Sequence, residues 1–168
     1  PNPNADNIVP ELGLAIDTSQ EGLIPKALKP LLDKRVEMKK HLASMPTWNP
    51  YRNNFKRRSS ALKWLLVTCF GYLGYKNARF GRIEAHQAVT AYGREALLRA
   101  KETAEDMGYQ VIQLYVDGLW VQHPDKTQPR DIEPLLLEIE ARTNLPISLD
   151  GIYRWVVFAG SRQNKLRP

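Results

Sequence analysis

One cysteine in 168 residues leaves no intramolecular disulfide framework and no cysteine-rich zinc site, and it points to a reducing, intracellular compartment. Long apolar runs are missing as well. The longest, Ala61 to Tyr75, is broken by Lys63 and holds two glycines, so it falls short of the roughly 20 apolar residues that cross a bilayer. No membrane partner is expected. The sequence has no G-x-x-x-x-G-K-[ST], G-x-G-x-x-G or G-x-S-x-G segment, which removes the usual signals of a P-loop NTPase, a Rossmann cofactor site and an α/β-hydrolase. His41, His86 and His123 show no metal-ligand spacing and Cys69 has no histidine near it in sequence, so structural roles are expected of all four. The opening Pro1-Asn2-Pro3-Asn4-Ala5-Asp6 lacks both an initiator Met and a signal-peptide pattern, which suggests a piece of a longer chain.

What the sequence does have is a globular composition, 43% apolar and 25% charged, with 24 Lys plus Arg against 18 Asp plus Glu. The net charge of +6 and a pI of about 9.5 favour a polyanionic partner such as nucleic acid or a nucleoside triphosphate. From Gly22 to about His41, Ile24, Leu28, Leu31, Leu32 and Leu42 fall on one stripe at helical period, with Pro25 in the first turn. Pro46 to Asn54, with Trp48 and Tyr51, reads as a loop. A second helix opening near Lys56 runs to about Gly71, which makes an antiparallel helical hairpin. A third spans roughly Ile83 to Met107, with Ala88, Tyr92, Ala96, Ala100 and Ala104 in register and Gly108 as its stop. The period then changes to two: Tyr109 to Val116 and Leu119 to Gln122 read as strands around Asp117-Gly118. Asp131 precedes a short helix bearing Ile132, Leu135, Leu136 and Ile139, and Ile147 to Leu149 with Tyr153 to Phe158 form a second strand pair around Asp150-Gly151. The fold class is α+β: a helical hairpin, a long helix and antiparallel strands.

Three cations and one carboxylate carry the candidate chemistry. Arg35 and Lys39 lie one turn apart on the first helix and project with Leu28 and Leu32. Cations on an apolar stripe either meet an anion or snorkel past its end to water. Lys63 is the sole charge between Ser59 and Tyr75, and if the two helices pack as a hairpin the three cations can clasp a polyphosphate; taken singly, Lys63 is an ordinary solvated residue. Asp117, at the tip of an apolar hairpin, is either a turn residue or a hard oxygen ligand for Mg²⁺, which often takes only one or two protein carboxylates.

Taken together and in this order, these segments resemble the fingers and palm of a family B DNA polymerase, of a divergent prokaryotic type. Gly22-Leu23-Ile24-Pro25, then Leu31-Leu32-Asp33-Lys34-Arg35 and Lys39, is similar to the first fingers helix, whose Arg and Lys bind the incoming triphosphate. Ala61-Leu62-Lys63 through Phe70-Gly71-Tyr72-Leu73-Gly74-Tyr75 resembles the helix with the K-x-x-x-N-S-x-Y-G motif, Lys63 matching the lysine and Gly71 the glycine. Arg79-Phe80 and Val89-Thr90-Ala91-Tyr92-Gly93-Arg94-Glu95 look like the palm helix beyond it. Asp117-Gly118-Leu119-Trp120 resembles the end of Y-G-D-T-D-S, and Asp150-Gly151-Ile152-Tyr153 the acidic hairpin that follows.

The resemblance implies a lead-in at 1–21, a fingers hairpin at 22–78, a partial palm at 79–158 and a truncated tail at 159–168. It implies dNTP contacts from Arg35, Lys39, Lys63, Phe70, Gly71 and Tyr72, with Lys63 and Asp117 catalytic and Asp117 a metal ligand. Mg²⁺ is the implied cofactor, and primer-template DNA, dNTP and the remaining polymerase domains or a complementary subunit are the implied partners. The implied place is the cytoplasm of a prokaryote, at the nucleoid. Val67, Thr68 and Phe70 depart from the motif's Asn, Ser and Tyr, and Tyr115 stands where the first palm Asp belongs. These departures motivate an alternative, a catalytically inactivated relative that serves as a structural or regulatory DNA-binding protein. The family's other metal-binding Asp, in a D-x-x-S-L-Y-P type of motif, has no counterpart here, and the isolated chain is expected not to extend a primer.

Overall fold

The computed structural model describes residues 8–158. The first seven residues of the expected lead-in and the tail at 159–168 lie outside that range. The chain is α+β, in the order α1 (Leu23–Ser44), α2 (Arg52–Leu73), α3 (Ile83–Asp106), β1 (Gln110–Tyr115), β2 (Gly118–Gln122) and α4 (Pro129–Thr143). It divides into two compact units, one through Tyr92 and one from Gly93, with α3 contributing to both.

In the first unit, α1 and α2 pack as a hairpin along a narrow seam. The shielded positions of α1 and its C-cap are Ile24, Leu28, Leu31, Arg35, Met38, Leu42 and Met45. Those of α2 along the seam are Arg52, Phe55, Ser59, Leu62, Leu66, Cys69 and Leu73, with Phe70 shielded beside them. Both series alternate steps of three and four, the repeat of a coiled-coil seam. Only Met38, Ser59 and Leu73 in it are buried, so the hairpin has little core of its own. Leu32, expected on the stripe, is exposed, and Met38 takes the central place.

α2 starts a turn before its expected opening near Lys56. The guanidinium of Arg52 reaches back to the end of α1, donating to the Leu42 carbonyl at 2.7 Å and to that of Met45, and this ties the corner into helix. Beyond the hairpin, Val9 packs on Ala88 and Ala91 of α3. The turn that presents Val9 has Glu11 and Gly13 at φ of 64° and 63°, and Val9 N–H donates to Leu14 at 2.7 Å.

The second unit has the larger core, formed by Ala100 and Ala104 of α3, Tyr109, and Ile132, Leu135 and Ile139 of α4. α3 stops where expected: Gly108 adopts φ 82°, its N–H donates to Glu105 at 3.0 Å, and Tyr109 N–H donates to Ala104 at 2.9 Å. That paired bonding satisfies two carbonyls left over at the helix end. β1 and β2 pair antiparallel, with Val111, Leu119 and Val121 against the core and a bulge at Ile112. α4 opens before Asp131, which sits one turn in and accepts from the Gln128 N–H at 2.9 Å.

The expected strand pair at 147–149 and 153–158 does not form among the described residues. Ile147 and Leu149 do pack on the core, but Ile147 N–H donates to the Glu140 carboxylate at 2.9 Å instead of to a strand neighbour. Asp150 accepts from the Tyr153 hydroxyl at 3.1 Å rather than opening a hairpin turn. Ile152, Tyr153, Trp155, Val156, Val157 and Phe158 stay exposed, and a two-stranded ribbon with no face to bury is marginal in water.

Candidate functional site

The three candidate cations sit at different depths on the hairpin. Arg35 belongs to the seam with Met38, and its Nε is sealed from solvent with no hydrogen-bond partner among the described residues. Lys39 and Lys63 are exposed, and neither makes an ion pair among the described residues. By contrast Lys29, elsewhere on α1, is paired with Asp33 at 2.9 Å. The helical phase explains the separation: a step of four residues overshoots a full turn by about 40°, and the seam corrects it with a step of three to Met38, which leaves Lys39 outside. Arg35 and Lys39 thus lie one turn apart at different depths, one half-buried at the seam and the other in water. A buried guanidinium nitrogen without a partner costs about 1–3 kcal/mol, which makes Arg35 the costliest polar group of the seam.

On α2, Lys63, Val67 and Gly71 share one face at spacings of four. Val67 is half exposed, and a Cβ built on Gly71 would meet nothing within 4 Å. Inside a helix, glycine costs roughly 1 kcal/mol relative to alanine, and no contact among the described residues explains it here. Tyr72 beside it is partly exposed. Phe70 is engaged elsewhere: the His86 ring stacks on it at 4.2 Å between centroids and 23° between planes. His86 Nδ1 also donates to the Phe70 carbonyl at 3.1 Å, as a carbonyl can only accept.

Gly74 N–H, which would ordinarily bond that carbonyl, turns to Gly71 at 3.2 Å instead. The imidazole thus caps the end of α2, and Gly74 makes room for it, since a Cβ there would lie 3.1 Å from Nδ1. The structural role expected of His86 is realised as a brace on the candidate face. Glycine one turn after an aromatic residue is its only sequence signal, and the partner, on the next helix, is not readable from that.

In the second unit, Asp117 is exposed at the tip of the β1–β2 hairpin. The register differs by one residue from the expected Asp117-Gly118 turn. Tyr115 pairs with Gly118, so the two turn residues are Val116 and Asp117. Val116 takes φ 52°, the left-handed region that β-branched residues avoid. The strain fixes the residue immediately before the carboxylate. Such outliers gather at sites where geometry matters more than stability.

Asp117 supplies one hard oxygen donor, which fits a share of one Mg²⁺ completed by substrate phosphates. Tyr115, next to the turn, brings a phenol where the polymerase motif has a carboxylate. No group of three or more His, Cys, Asp or Glu able to hold a metal ion is found among the described residues. The hairpin alone does not fit a metal pair.

Comparison with known proteins gives one consistent answer. The sequence model of DNA polymerase family B matches residues 3–133. DNA polymerase 2 of Saccharolobus solfataricus is 34% identical over 163 residues, covering 97% of this chain and 23% of that protein. The DNA polymerase of Pyrococcus glycovorans is 32% identical over 155 residues, covering 88% of this chain and 20% of that protein. Among solved structures, the family B DNA polymerase of Pyrobaculum calidifontis superposes with a TM-score of 0.68 at 29% identity, over 87% of this chain and 18% of that one. The chain spans about a quarter or less of the length of these relatives.

Proposed function

As the chain belongs to DNA polymerase family B, we propose that it is the fingers hairpin (22–78) and part of the palm (79–158) of a template-directed DNA polymerase, acting with the remaining polymerase domains or a complementary subunit. The observation that carries this reading is the face of α2 on which an exposed, unpaired Lys63 is followed by Val67 and the bare Gly71. Lys63, Arg35 and Lys39 hold the triphosphate of an incoming dNTP and neutralise charge passed to pyrophosphate. Gly71 and Tyr72 lie against the nascent base pair, where a side chain on residue 71 would obstruct, and Phe70 supports them through its stack on His86.

Asp117 would help hold Mg²⁺ through its carboxylate, and the ion would supply charge stabilisation for transfer to the primer 3′-hydroxyl. The partners are primer-template DNA and dNTP, and the place is the prokaryotic cytoplasm, at the nucleoid. No described helix is long and apolar enough to cross a membrane.

Replacing Lys63 or Lys39 with Ala in the full-length protein should weaken dNTP use about ten- to a hundredfold, the value of one charge-assisted bond, with primer-template affinity much less changed. Lys26→Ala is the control. Arg35→Ala should do the same and lower stability as well, because its side chain fills the seam. Equal effects of Lys26 and Lys63 substitutions in steady-state incorporation would overturn the assignment.

Tyr115 favours a second reading, a catalytically inactivated relative with a structural or regulatory DNA-binding role. Primer extension by the full-length protein decides between them: dNTP and DNA binding without extension, with extension gained in Tyr115→Asp, is the outcome that selects the second.

A further inference from the structure

The hairpin has a charge asymmetry that the dNTP site uses only in part. Between Glu37 and Glu84 the sequence has no Asp or Glu and ten Lys or Arg, so the whole positive excess of the chain lies in this stretch and the rest is net acidic. Nine of the ten are exposed, Arg52 being the exception, and none makes an ion pair among the described residues. Lys39 aside, the cations Lys40, Lys56, Arg57 and Arg58 lie towards the end where α1 passes into α2.

At that same end stand two aromatic rings. Trp48 is 80% exposed, more than any other large apolar side chain among the described residues, and Tyr51 is 67% exposed. They are not carried by a slack loop. Asn49 N–H donates to Pro46 at 3.1 Å, Tyr51 N–H to the Asn49 side chain at 2.9 Å, and Arg52 N–H to Asn49 at 3.1 Å. The Arg52 guanidinium ties the corner to the end of α1. Burial would have been the cheap fate of two such rings; here a bonded turn holds them out in water.

Ordered aromatic faces at an end rich in exposed cations, with no acidic residue in sequence between Glu37 and Glu84, suit a strand whose bases are unpaired. The cations track its backbone and the rings stack its bases, whatever their sequence. A duplex offers no free base faces to Trp48 and Tyr51. A protein partner would have to bury the rings at an end rich in exposed cations.

We propose that the tip of the α1–α2 hairpin, centred on Trp48 and Tyr51, is a binding site for single-stranded nucleic acid and engages the unpaired template. This deepens the polymerase reading and rests on it. The test is fluorescence anisotropy with the full-length protein and labelled primer-template, either blunt or carrying a template overhang of about 15 nucleotides, the upper site size of single-strand grooves.

The wild type should bind the overhang substrate more tightly. Trp48→Ala/Tyr51→Ala should lower that affinity about ten- to a hundredfold, change blunt-duplex affinity by no more than about twofold, and leave the melting temperature in place. Trp48→Phe should retain most of the binding, and Arg57→Ala should flatten the salt dependence by roughly 0.7 in log–log slope. Equal losses on both substrates, or no loss on the overhang, overturn the site. A wild type that binds primer-template without preferring an overhang overturns the site and spares the polymerase reading; one that binds neither substrate overturns both.

Discussion

At Asp117 two properties can be separated by a single atom. Asn occupies turn positions as readily as Asp, so Asp117→Asn in an active full-length protein should melt like the wild type and lose nucleotide addition. Primer extension beside a thermal melt checks both halves, and wild-type extension would make Asp117 only a turn residue. Its neighbour is predicted to behave in the opposite sense. Val116 at φ 52° is strained, and Val116→Gly should stabilise the second unit by about 1 kcal/mol in urea titration, with nucleotide addition falling as the carboxylate loses its fixed approach. The identity of Asp117 as the tip residue was legible in the sequence, because polar turn residues stand out between apolar alternations. Its register was not: Asp-Gly is a common turn pair, and only the ladder from Gln110 to Gln122 shows that Gly118 is already in the strand.

Among the elements, all four helices and the β1–β2 hairpin were readable, because each has its own period and stop signal. The depth of a residue within a helix was harder. Arg35 and Lys39 share a nominal face, yet the steps of three and four that build the seam retain one and expel the other. The strands expected at 147–158 failed for a different reason: alternation shows that a segment can be a strand, and only a neighbour with a free edge makes it one. The brace between α2 and α3 is also an element-scale feature. His86→Ala removes a ring stack and the cap on Phe70 together, which should cost about 1–2 kcal/mol. His86→Phe, which keeps the stack and loses the bond, should recover part of it. Hydrogen exchange at Gly74 and Tyr75 reads the effect locally, and unchanged exchange in His86→Ala would mean that α2 ends firmly without the ring.

For the molecule as a whole, burial is unequally shared. The second unit closes around Leu135, Ile139, Ala104 and Tyr109, whereas the α1–α2 seam buries Met38, Ser59 and Leu73 alone. Opening free energy follows buried contacts, so amides of α1 and α2 should exchange faster than those of α4 and the C-terminal half of α3. Leu135→Ala should destabilise the second unit by about 2–5 kcal/mol. Equal protection of both units by mass spectrometry would contradict the thin-seam description. A lightly packed hairpin is also what a segment that closes over a substrate requires, since large motions are drawn from the least stable parts of a fold.

The empty space around Gly71 bears on how this sequence would respond to selection. Nothing among the described residues meets a methyl group there, so Gly71→Ala should raise helix stability by up to about 1 kcal/mol. In a saturation library sorted only for folded, soluble protein, alanine at 71 should therefore be enriched over the parental glycine. In the same library sorted for nucleotide incorporation it should be depleted if, as proposed, residue 71 lies against the base pair. Two opposed enrichment scores at one codon would register a ligand that the chain's own contacts do not reveal, and concordant scores would leave the glycine without a purpose.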